Sequence, residues 1–172
     1  TVEATYGYLM AANSPQADPD KVWAYAEGGA NHLEWLKSVG VPFKNSEYPH
    51  RAMMALTDDC LLYTGSEKAW PYRDQFAPAP RGHNLEVEGD NGGPLLMQLL
   101  EVAVRERGVS VALESRALRL IVEGGGGALT VCGVVVRQDG EERYYRAERG
   151  VVLCAGGFVM NSDMLNQHAP KL

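Results

Sequence analysis

One segment decides the fold of this chain: GVVLCAGGF at residues 150–158, an apolar run that ends in two glycines. Strands covered on both faces of a parallel sheet read as continuous apolar runs, so residues 151–155 predict a buried parallel strand. Glycine has no Cβ and lets the backbone approach a ligand closely. In open α/β sheets, ligands lie just beyond the carboxyl ends of the strands, which predicts a ligand at Ala155, Gly156 and Gly157. A tight structural turn is the alternative interpretation of the two glycines.

The chain before this segment has the order of an α/β nucleotide-binding domain. Pro94 opens a predicted helix that runs from Gly93 to Gly108, with an apolar stripe on one face. Short β-rich segments follow the helix, and glycine-containing turns separate some of them. They lie at residues 109–113, 117–122, 130–137, 143–147 and 151–155. A helix, a buried strand, an antiparallel excursion and a second buried strand favour an α/β fold with an inserted meander.

The amino-terminal half contains two predicted helices and one long aperiodic segment. Residues 1–13 have helix-forming composition, and a second helix begins with Asp18 as N-cap and Pro19 at the first helical position. That helix stops at Gly40. Residues 42–93 show no periodicity but carry many aromatic side chains and two methionines. Such a long segment inside a compact domain is usually functional, and its apolar content argues against a mobile linker.

Composition and charge narrow the class of protein. At 172 residues and 45% apolar content, the chain is long enough for one globular domain. Its net charge of -6 predicts no nucleic-acid partner, and no apolar stretch is long enough for a membrane span. The three cysteines have no C-x-x-C spacing and predict free thiols in a reducing cytoplasm. Because the first residue is Thr1 rather than methionine, we expect an excised or processed piece of a soluble protein.

A series of short motifs along the chain follows the order of one flavoprotein family. The motifs are Gly40-Val41-Pro42-Phe43, PAPRGH at 78–83, Gly92-Gly93, Arg107-Gly108-Val109, Ser115-Arg116-Ala117, VCGVVV at 131–136 and GVVLCAGGF at 150–158. Through them the chain resembles an internal piece of the fumarate reductase and 3-ketosteroid dehydrogenase flavoproteins. The resemblance covers almost the whole chain, although each motif taken alone has low specificity for the family.

The resemblance implies an α/β fold, made of an α+β capping segment and a partial Rossmann-like FAD-binding fold with an antiparallel meander. Residues 1–92 would form the substrate-capping segment and residues 93–172 the second half of the FAD-binding domain. It also implies FAD as the cofactor and an oxidoreductase activity that the fragment alone would lack. The residues implied to contact the cofactor are Arg116, Ala117, Ala155, Gly156 and Gly157.

The dinucleotide fingerprint of such folds, G-x-G-x-x-G after a first strand, is absent from this sequence. The four glycines at 124–127 cannot replace it, because they join two predicted strands and do not open a helix whose N–H groups face the pyrophosphate. We therefore expect these residues alone to bind FAD weakly or not at all, since charge-assisted hydrogen bonds to the pyrophosphate are lost.

The aperiodic segment supplies the candidate catalytic residues Tyr63, Tyr72, Arg81 and His83. A phenol or a guanidinium polarises a carbonyl, and a histidine exchanges a proton near neutral pH. Packing or surface roles are the alternative for the tyrosines, since a phenol is commonly half-buried with its hydroxyl in water. The pair Asp58-Asp59 lacks further acids at ligand spacing and indicates a turn, so we predict no metal site.

Two functions of different class remain open from the sequence. The first is hydride transfer between FAD and a small-molecule substrate, either a steroid-like ketone or an unsaturated dicarboxylate. A dicarboxylate needs several converging arginines, whereas an apolar ketone needs a pocket of aromatic and methionine side chains with few polar anchors. These apolar side chains outnumber the basic ones in residues 42–93, which favours the ketone. The second function is a non-catalytic α/β module that binds a ligand or a protein. The sequence leaves the oligomeric state open.

Overall fold

The computed structural model describes residues 1–13, 15–50, 57–63, 65–125 and 129–170, in two compact units, Thr1–Ser110 and Val111–Leu172. The elements of the first unit are α1 (Val2–Ala12), α2 (Pro19–Ser38), β1 (Leu61–Leu62), α3 (Tyr72–Gln75), β2 (Gly82–His83) and α4 (Gly92–Glu106). Those of the second unit are β3 (Ser115–Glu123), β4 (Thr130–Gln138), β5 (Glu141–Arg146) and α5 (Ser162–His168).

The starts of the first two helices follow from their capping residues. The Thr1 hydroxyl accepts a hydrogen bond at 3.2 Å from an N–H group in the first turn of α1. Asp18 caps α2, where its Oδ1 accepts from the N–H groups of Asp20 and Lys21 at 3.1 and 3.3 Å. Such oxygens satisfy N–H groups that have no intrahelical partner. With Pro19 in the first turn, the predicted start of α2 is confirmed.

All three tryptophans of the chain lie in the first unit. Trp23 of α2 packs edge-on against Tyr6 of α1, with 5.3 Å between the ring centroids. Trp35 stacks on the ring of His32, at 5.7 Å. Trp70 is 72% exposed. The indole rings therefore lie at the surface of this unit, and one of them joins its first two helices.

The aperiodic segment between α2 and α4 folds around a small core. Cys60 is fully buried, and its Sγ accepts a hydrogen bond from the Lys44 N–H at 3.2 Å. The short strands β1 and β2 pair antiparallel beside it, with Leu61 opposite His83. The Cys60 carbonyl accepts from the N–H of Asn84 at 2.8 Å. The described part of this segment is therefore folded, as its aromatic content predicts.

The helix predicted from Gly93 to Gly108 is confirmed as α4, which begins one residue earlier and ends at Glu106. Its buried residue is Ala103, and the Arg107 side chain donates from Nη1 to the Ala103 carbonyl at 2.9 Å. A cation at this end satisfies a free carbonyl and interacts well with the helix dipole. No helix in the described ranges is long and apolar enough to cross a membrane.

The second unit is built on an antiparallel sheet with the strand order β3-β4-β5. Asp139 and Gly140 form the turn between β4 and β5, both with positive φ angles, 53° and 84°. A two-residue turn of that backbone geometry matches the twist of a hairpin. Val135 and Val136 of the central strand are 2% and 8% exposed, and adjacent strand residues point to opposite faces. The predicted antiparallel meander is confirmed.

Two predicted strands are absent, and these predictions were wrong. Residues 109–113 and 151–155 are irregular backbone, and apart from the half-buried Val151 they are exposed: Val111 is 64% and Val152 is 86% exposed. Apolar composition favours burial, but a strand also needs a neighbour that pairs its N–H and C=O groups. No described residue supplies one to either segment, so the expected α/β layer containing both strands does not form. The chain is a mixed helix and sheet protein with small antiparallel sheets.

Candidate functional site

Tyr8 of α1 is the centre of an aromatic cluster in the first unit. It is 6% exposed, and its hydroxyl accepts a hydrogen bond from the Ser66 N–H at 2.9 Å. The rings of Tyr72 and Phe76 meet the Tyr8 ring edge-on, with centroids 5.7 and 6.4 Å away. Gly65 has a φ of 66° and passes so close that an added Cβ would lie 2.6 Å from the Tyr8 hydroxyl oxygen. Residues 65–76 thus pack around one buried tyrosine whose hydroxyl is hydrogen-bonded.

Arg81 lies against the same tyrosine ring. Its Cζ is 5.7 Å from the centroid of Tyr8, within the range of a cation–π interaction. Its Nε donates to Thr5 Oγ1 at 3.0 Å, and its Nη1 donates to Glu67 Oε2. The side chain of Arg81 is only 18% exposed. We call Thr5, Tyr8, Glu67 and Arg81 the Arg81 cluster.

Glu67 is a functional candidate that the sequence does not reveal. It is 3% exposed, and no other charged residue of the described ranges is as deeply buried. Its Oε2 also accepts the N–H of Ala79 at 3.1 Å, while its Oε1 has no partner among the described residues. A buried carboxylate is costly unless it is paired and hydrogen-bonded, so Glu67 depends on Arg81. The two lie 14 residues apart in an aperiodic segment, so no local pattern could have marked the pair.

The four candidate catalytic residues do not form one group. Tyr63 has the Lys68 ammonium 3.3 Å from its ring centroid. His83 is exposed on β2 and meets the Phe43 ring edge-on at 6.2 Å. The other two candidates both contact Tyr8. Within the described ranges, no hydrogen bond, ion pair or ring contact joins any two of the four.

The candidate FAD-contacting residues all lie in the second unit. Arg116 and Ala117 stand near the start of β3, where they pair with residues of β4, and the Arg116 side chain is exposed. Gly156 has a φ of 77°, and a Cβ added there would meet nothing within 4 Å. Gly156 therefore has open space beside its backbone, whereas a Cβ added at Gly157 would lie 3.9 Å from Val159 Cγ1. The space beside Gly156 fits the close approach of a flat cofactor. In the described ranges, no hydrogen bond or ring contact joins residues 150–170 to the sheet.

Outside the Arg81 cluster, exposed ion pairs shift the pKa values of the charged groups that form them. Arg119 donates two hydrogen bonds to Glu142 across the sheet, at 3.2 and 2.8 Å. These bonds lower the pKa of the Glu142 carboxyl and raise the pKa of Arg119. The hydrogen bond with Asp58 at 2.6 Å likewise raises the pKa of Lys44. Solvent screens such pairs, so they add little stability. The described residues contain no group of three or more His, Cys, Asp or Glu that could hold a metal ion.

The comparison with known protein families covers the whole chain. The family model of the FAD binding domain matches residues 1–172. This chain belongs to that family. A 3-oxosteroid 1-dehydrogenase of Comamonas testosteroni is 23% identical over 99% of the chain, and a probable fumarate reductase of Shewanella frigidimarina is 27% identical over 95%. The resemblance drawn from the motifs and the prediction of FAD as cofactor are both confirmed.

Two solved structures share the fold. The 3-ketosteroid-Δ4-(5α)-dehydrogenase of Rhodococcus jostii RHA1, in complex with 4-androstene-3,17-dione, is 37% identical with a TM-score of 0.87 over 99% of this chain. A flavocytochrome c3 fumarate reductase in an open conformation is 25% identical with a TM-score of 0.69 over 99%. The chain spans 38% and 23% of the length of the two relatives above, and 36% and 25% of these two solved chains.

Proposed function

We propose that the intact protein is an FAD-dependent oxidoreductase that transfers hydride between the flavin and a steroid-like ketone. The observation that carries this proposal is the 37% identity and TM-score of 0.87 to a ketosteroid dehydrogenase whose structure holds 4-androstene-3,17-dione. FAD supplies the hydride chemistry when it is bound. The residues of this chain bind and orient the two reactants.

In this proposal, residues 1–92 cap the substrate and residues 93–172 form the second half of a Rossmann-like FAD-binding domain. Arg116, Ala117 and residues 155–157 contact the cofactor. The open space beside Gly156 supports this assignment, because a cofactor can approach the backbone there without meeting a side chain. The exposed apolar side chains of residues 152–160 also suit a segment that lies against other groups in the intact protein.

Tyr72 and Arg81 act, in this proposal, as donors to the substrate carbonyl, and Tyr63 and His83 are further acid–base groups. A phenol O–H or a guanidinium N–H that donates to a carbonyl oxygen withdraws electron density and favours hydride transfer nearby. The packing of Tyr72 and Arg81 against one buried ring supports this role, because it holds both side chains in fixed orientations.

An unsaturated dicarboxylate is the second candidate substrate, because fumarate reductases are among the relatives. Two carboxylates need several converging arginines. Among the described residues around Tyr8, Arg81 is the arginine present, and Glu67 already pairs with it. This pairing favours the ketone. A non-catalytic binding module is the weaker alternative, because the relatives across the whole chain are dehydrogenases and reductases.

The setting of the enzyme stays a prediction from composition. A net charge of -6 suits a small-molecule substrate and no nucleic-acid partner. Three cysteines without a disulfide suit the cytoplasm.

The spectrum of the purified intact protein tests the proposal. It should carry flavin absorbance, which a saturated 3-ketosteroid should bleach under anaerobic conditions while succinate leaves it unchanged. Bleaching by succinate alone would transfer the assignment to the dicarboxylate class. A protein that neither carries FAD nor takes it up would contradict the proposal as a whole.

Substitutions in the capping segment test the proposed donors. Tyr72→Phe and Arg81→Ala should each lower turnover by about 100-fold, the size of effect seen when a positioned donor is lost. Tyr25→Phe is the matched control, because Tyr25 is 71% exposed on α2 and should keep the wild-type rate. Steady-state kinetics with the steroid ketone measures all three. Wild-type rates in both of the first two variants would remove these residues from the site.

A further inference from the structure

The guanidinium of Arg81 is held from three directions. Thr5 Oγ1 accepts from Nε at 3.0 Å, and Glu67 Oε2 accepts from Nη1. The ring face of Tyr8 lies 5.7 Å from Cζ. No described residue accepts a hydrogen bond from Nη2. Three N–H groups of the guanidinium, the second one on Nη1 and both on Nη2, therefore lack an acceptor among the described residues, and the side chain keeps 18% exposure. These N–H groups are left for a ligand.

The positive charge of Arg81 is balanced from its buried side. The Glu67 side chain is 2% exposed, and the N–H of Ala79 holds its Oε2 at 3.1 Å. A ligand at Nη2 meets N–H donors of the arginine, but the Glu67 carboxylate paired with Nη1 of the same guanidinium offsets much of the attraction for an anion. A neutral carbonyl oxygen needs only the donors and loses little from this balance.

We propose that Glu67 sets the substrate class: it makes Arg81 a donor for a neutral carbonyl oxygen instead of a receptor for a carboxylate. This inference rests on the proposed function, since that function brings Arg81 to the substrate. Glu67 touches Arg81 and not the ligand, so it is a positioning residue. Thr5 and Tyr8 complete the arrangement by fixing the plane of the guanidinium.

The test compares a neutral and an anionic ligand in the intact, flavin-loaded protein. The probes are 4-androstene-3,17-dione, the ligand held by the solved relative, and succinate. Perturbation of the flavin absorbance gives the Kd of each. Glu67→Gln keeps the shape of the side chain and removes its charge, so succinate should bind at least about tenfold tighter while the ketone Kd changes by less than about threefold. An unchanged ratio of the two Kd values in a folded Glu67→Gln protein overturns the proposal.

Two further variants keep the test decisive. Asp58→Asn removes one negative charge from the same unit at an exposed ion pair and should leave the ratio of Kd values unchanged. An equal shift in this variant would trace the effect to overall charge and overturn the role of Glu67.

If Glu67→Gln fails to fold, the double variant Glu67→Gln/Arg81→Gln removes both charges together, which buried sites tolerate better. It should lose about tenfold in ketone affinity and gain none for succinate. Wild-type ketone affinity in the double variant overturns the proposal by itself.

The failure of this inference is distinct from failure of the proposed function. A protein that holds no flavin contradicts the oxidoreductase itself. A flavin-loaded enzyme that turns over the ketone, but whose Glu67→Gln variant keeps the wild-type ligand preference, contradicts only the role of Glu67.

Discussion

Residues 65–81 and residues 150–160 show opposite relations between sequence and burial. The first segment is rich in charged and turn-forming residues, yet it packs on Tyr8 and encloses Glu67 at 3% exposure. The second contains the apolar run VVLCA at 151–155, yet Val152 is 86% and Met160 is 95% exposed. Apolar composition gives a segment a tendency to be buried. Whether a given side chain is buried depends on the tertiary contacts that other segments make with it.

The contacts of residues 65–81 come from far along the chain. The hydrogen bond between Ser66 and Tyr8 spans 58 residues, and the one between Arg81 and Thr5 spans 76. Both contacts are directional and depend on specific side chains. A substitution in this segment should therefore cost far more stability than its modest hydrophobicity suggests, whereas residues 150–160 should tolerate changes that affect only local packing.

The largest expected effect comes from breaking the buried ion pair of the Arg81 cluster. Arg81→Met leaves the Glu67 carboxylate buried and unpaired, which should lower the free energy of unfolding by about 3–5 kcal/mol. The double variant Arg81→Met/Glu67→Met removes both charges and should recover most of that loss. Urea unfolding of the intact protein measures both.

The matched control is an ion pair at the surface. Lys37→Met breaks the exposed pair with Glu34 on α2 and should change the free energy of unfolding by less than about 1 kcal/mol. If the double variant proves as unstable as Arg81→Met, the cluster is held by packing of the arginine stem and not by its charge.

Each of the two segments contains a glycine with positive φ, and smaller effects are expected there. Gly65 has a φ of 66° and Gly156 a φ of 77°, so alanine is strained at both positions. Only Gly65 is also crowded, by the Tyr8 hydroxyl. Gly65→Ala should lower the free energy of unfolding by about 2–3 kcal/mol and Gly156→Ala by about 1 kcal/mol.

A third glycine gives the expected opposite sign. Gly29 lies inside α2 with nothing within 4 Å of an added Cβ, so Gly29→Ala should raise stability by about 0.5–1 kcal/mol. Thermal unfolding of the three variants ranks them. Equal losses for Gly65→Ala and Gly156→Ala would show that crowding at Tyr8 contributes nothing.

The smallest expected effect is at the cap of α2 and depends on pH. The hydrogen bond with the Lys21 side chain, and those from the first turn of the helix, lower the pKa of Asp18. A carboxyl whose pKa is lowered by folding stabilises the protein above its unfolded pKa of about 4, and this contribution is lost as the pH falls through the folded value. Asp18→Ala should therefore lower the thermal midpoint slightly at pH 7 and not at strongly acid pH. A difference that persists unchanged in acid would assign the effect to helix propensity.

Local rules predicted a large part of this fold. Asp18 and Pro19 marked the start of α2, Pro94 marked the start of α4, and Asp139-Gly140 marked the hairpin, because each signal acts within a few residues of the structure it makes. Residues 151–155 failed as a predicted strand, since pairing depends on a second segment that a local pattern does not contain.

The candidate site was predictable only in part. The aromatic and ionisable side chains of residues 42–93 led to Tyr72 and Arg81, which the structure places against one ring. Their organiser, Tyr8, lies in a different helix, and the partner of Arg81 is Glu67, whose burial follows from contacts between distant segments. Sequence patterns indicate residue types that are suited to chemistry. Tertiary packing decides which of these residues lie against the same neighbour.

All three tryptophans of this chain lie in the first unit, so indole fluorescence reports on that unit and not on the second. Indole emission shifts with solvent exposure, and Trp23, Trp35 and Trp70 are all partly or largely exposed, while the β3–β4–β5 sheet contains no indole. Selective excitation of the indole rings would therefore give emission that depends on the surroundings of α2 and of Trp70, and not on the sheet. A shift in the indole emission of residues 1–172 would therefore come from the unit that holds the Arg81 cluster.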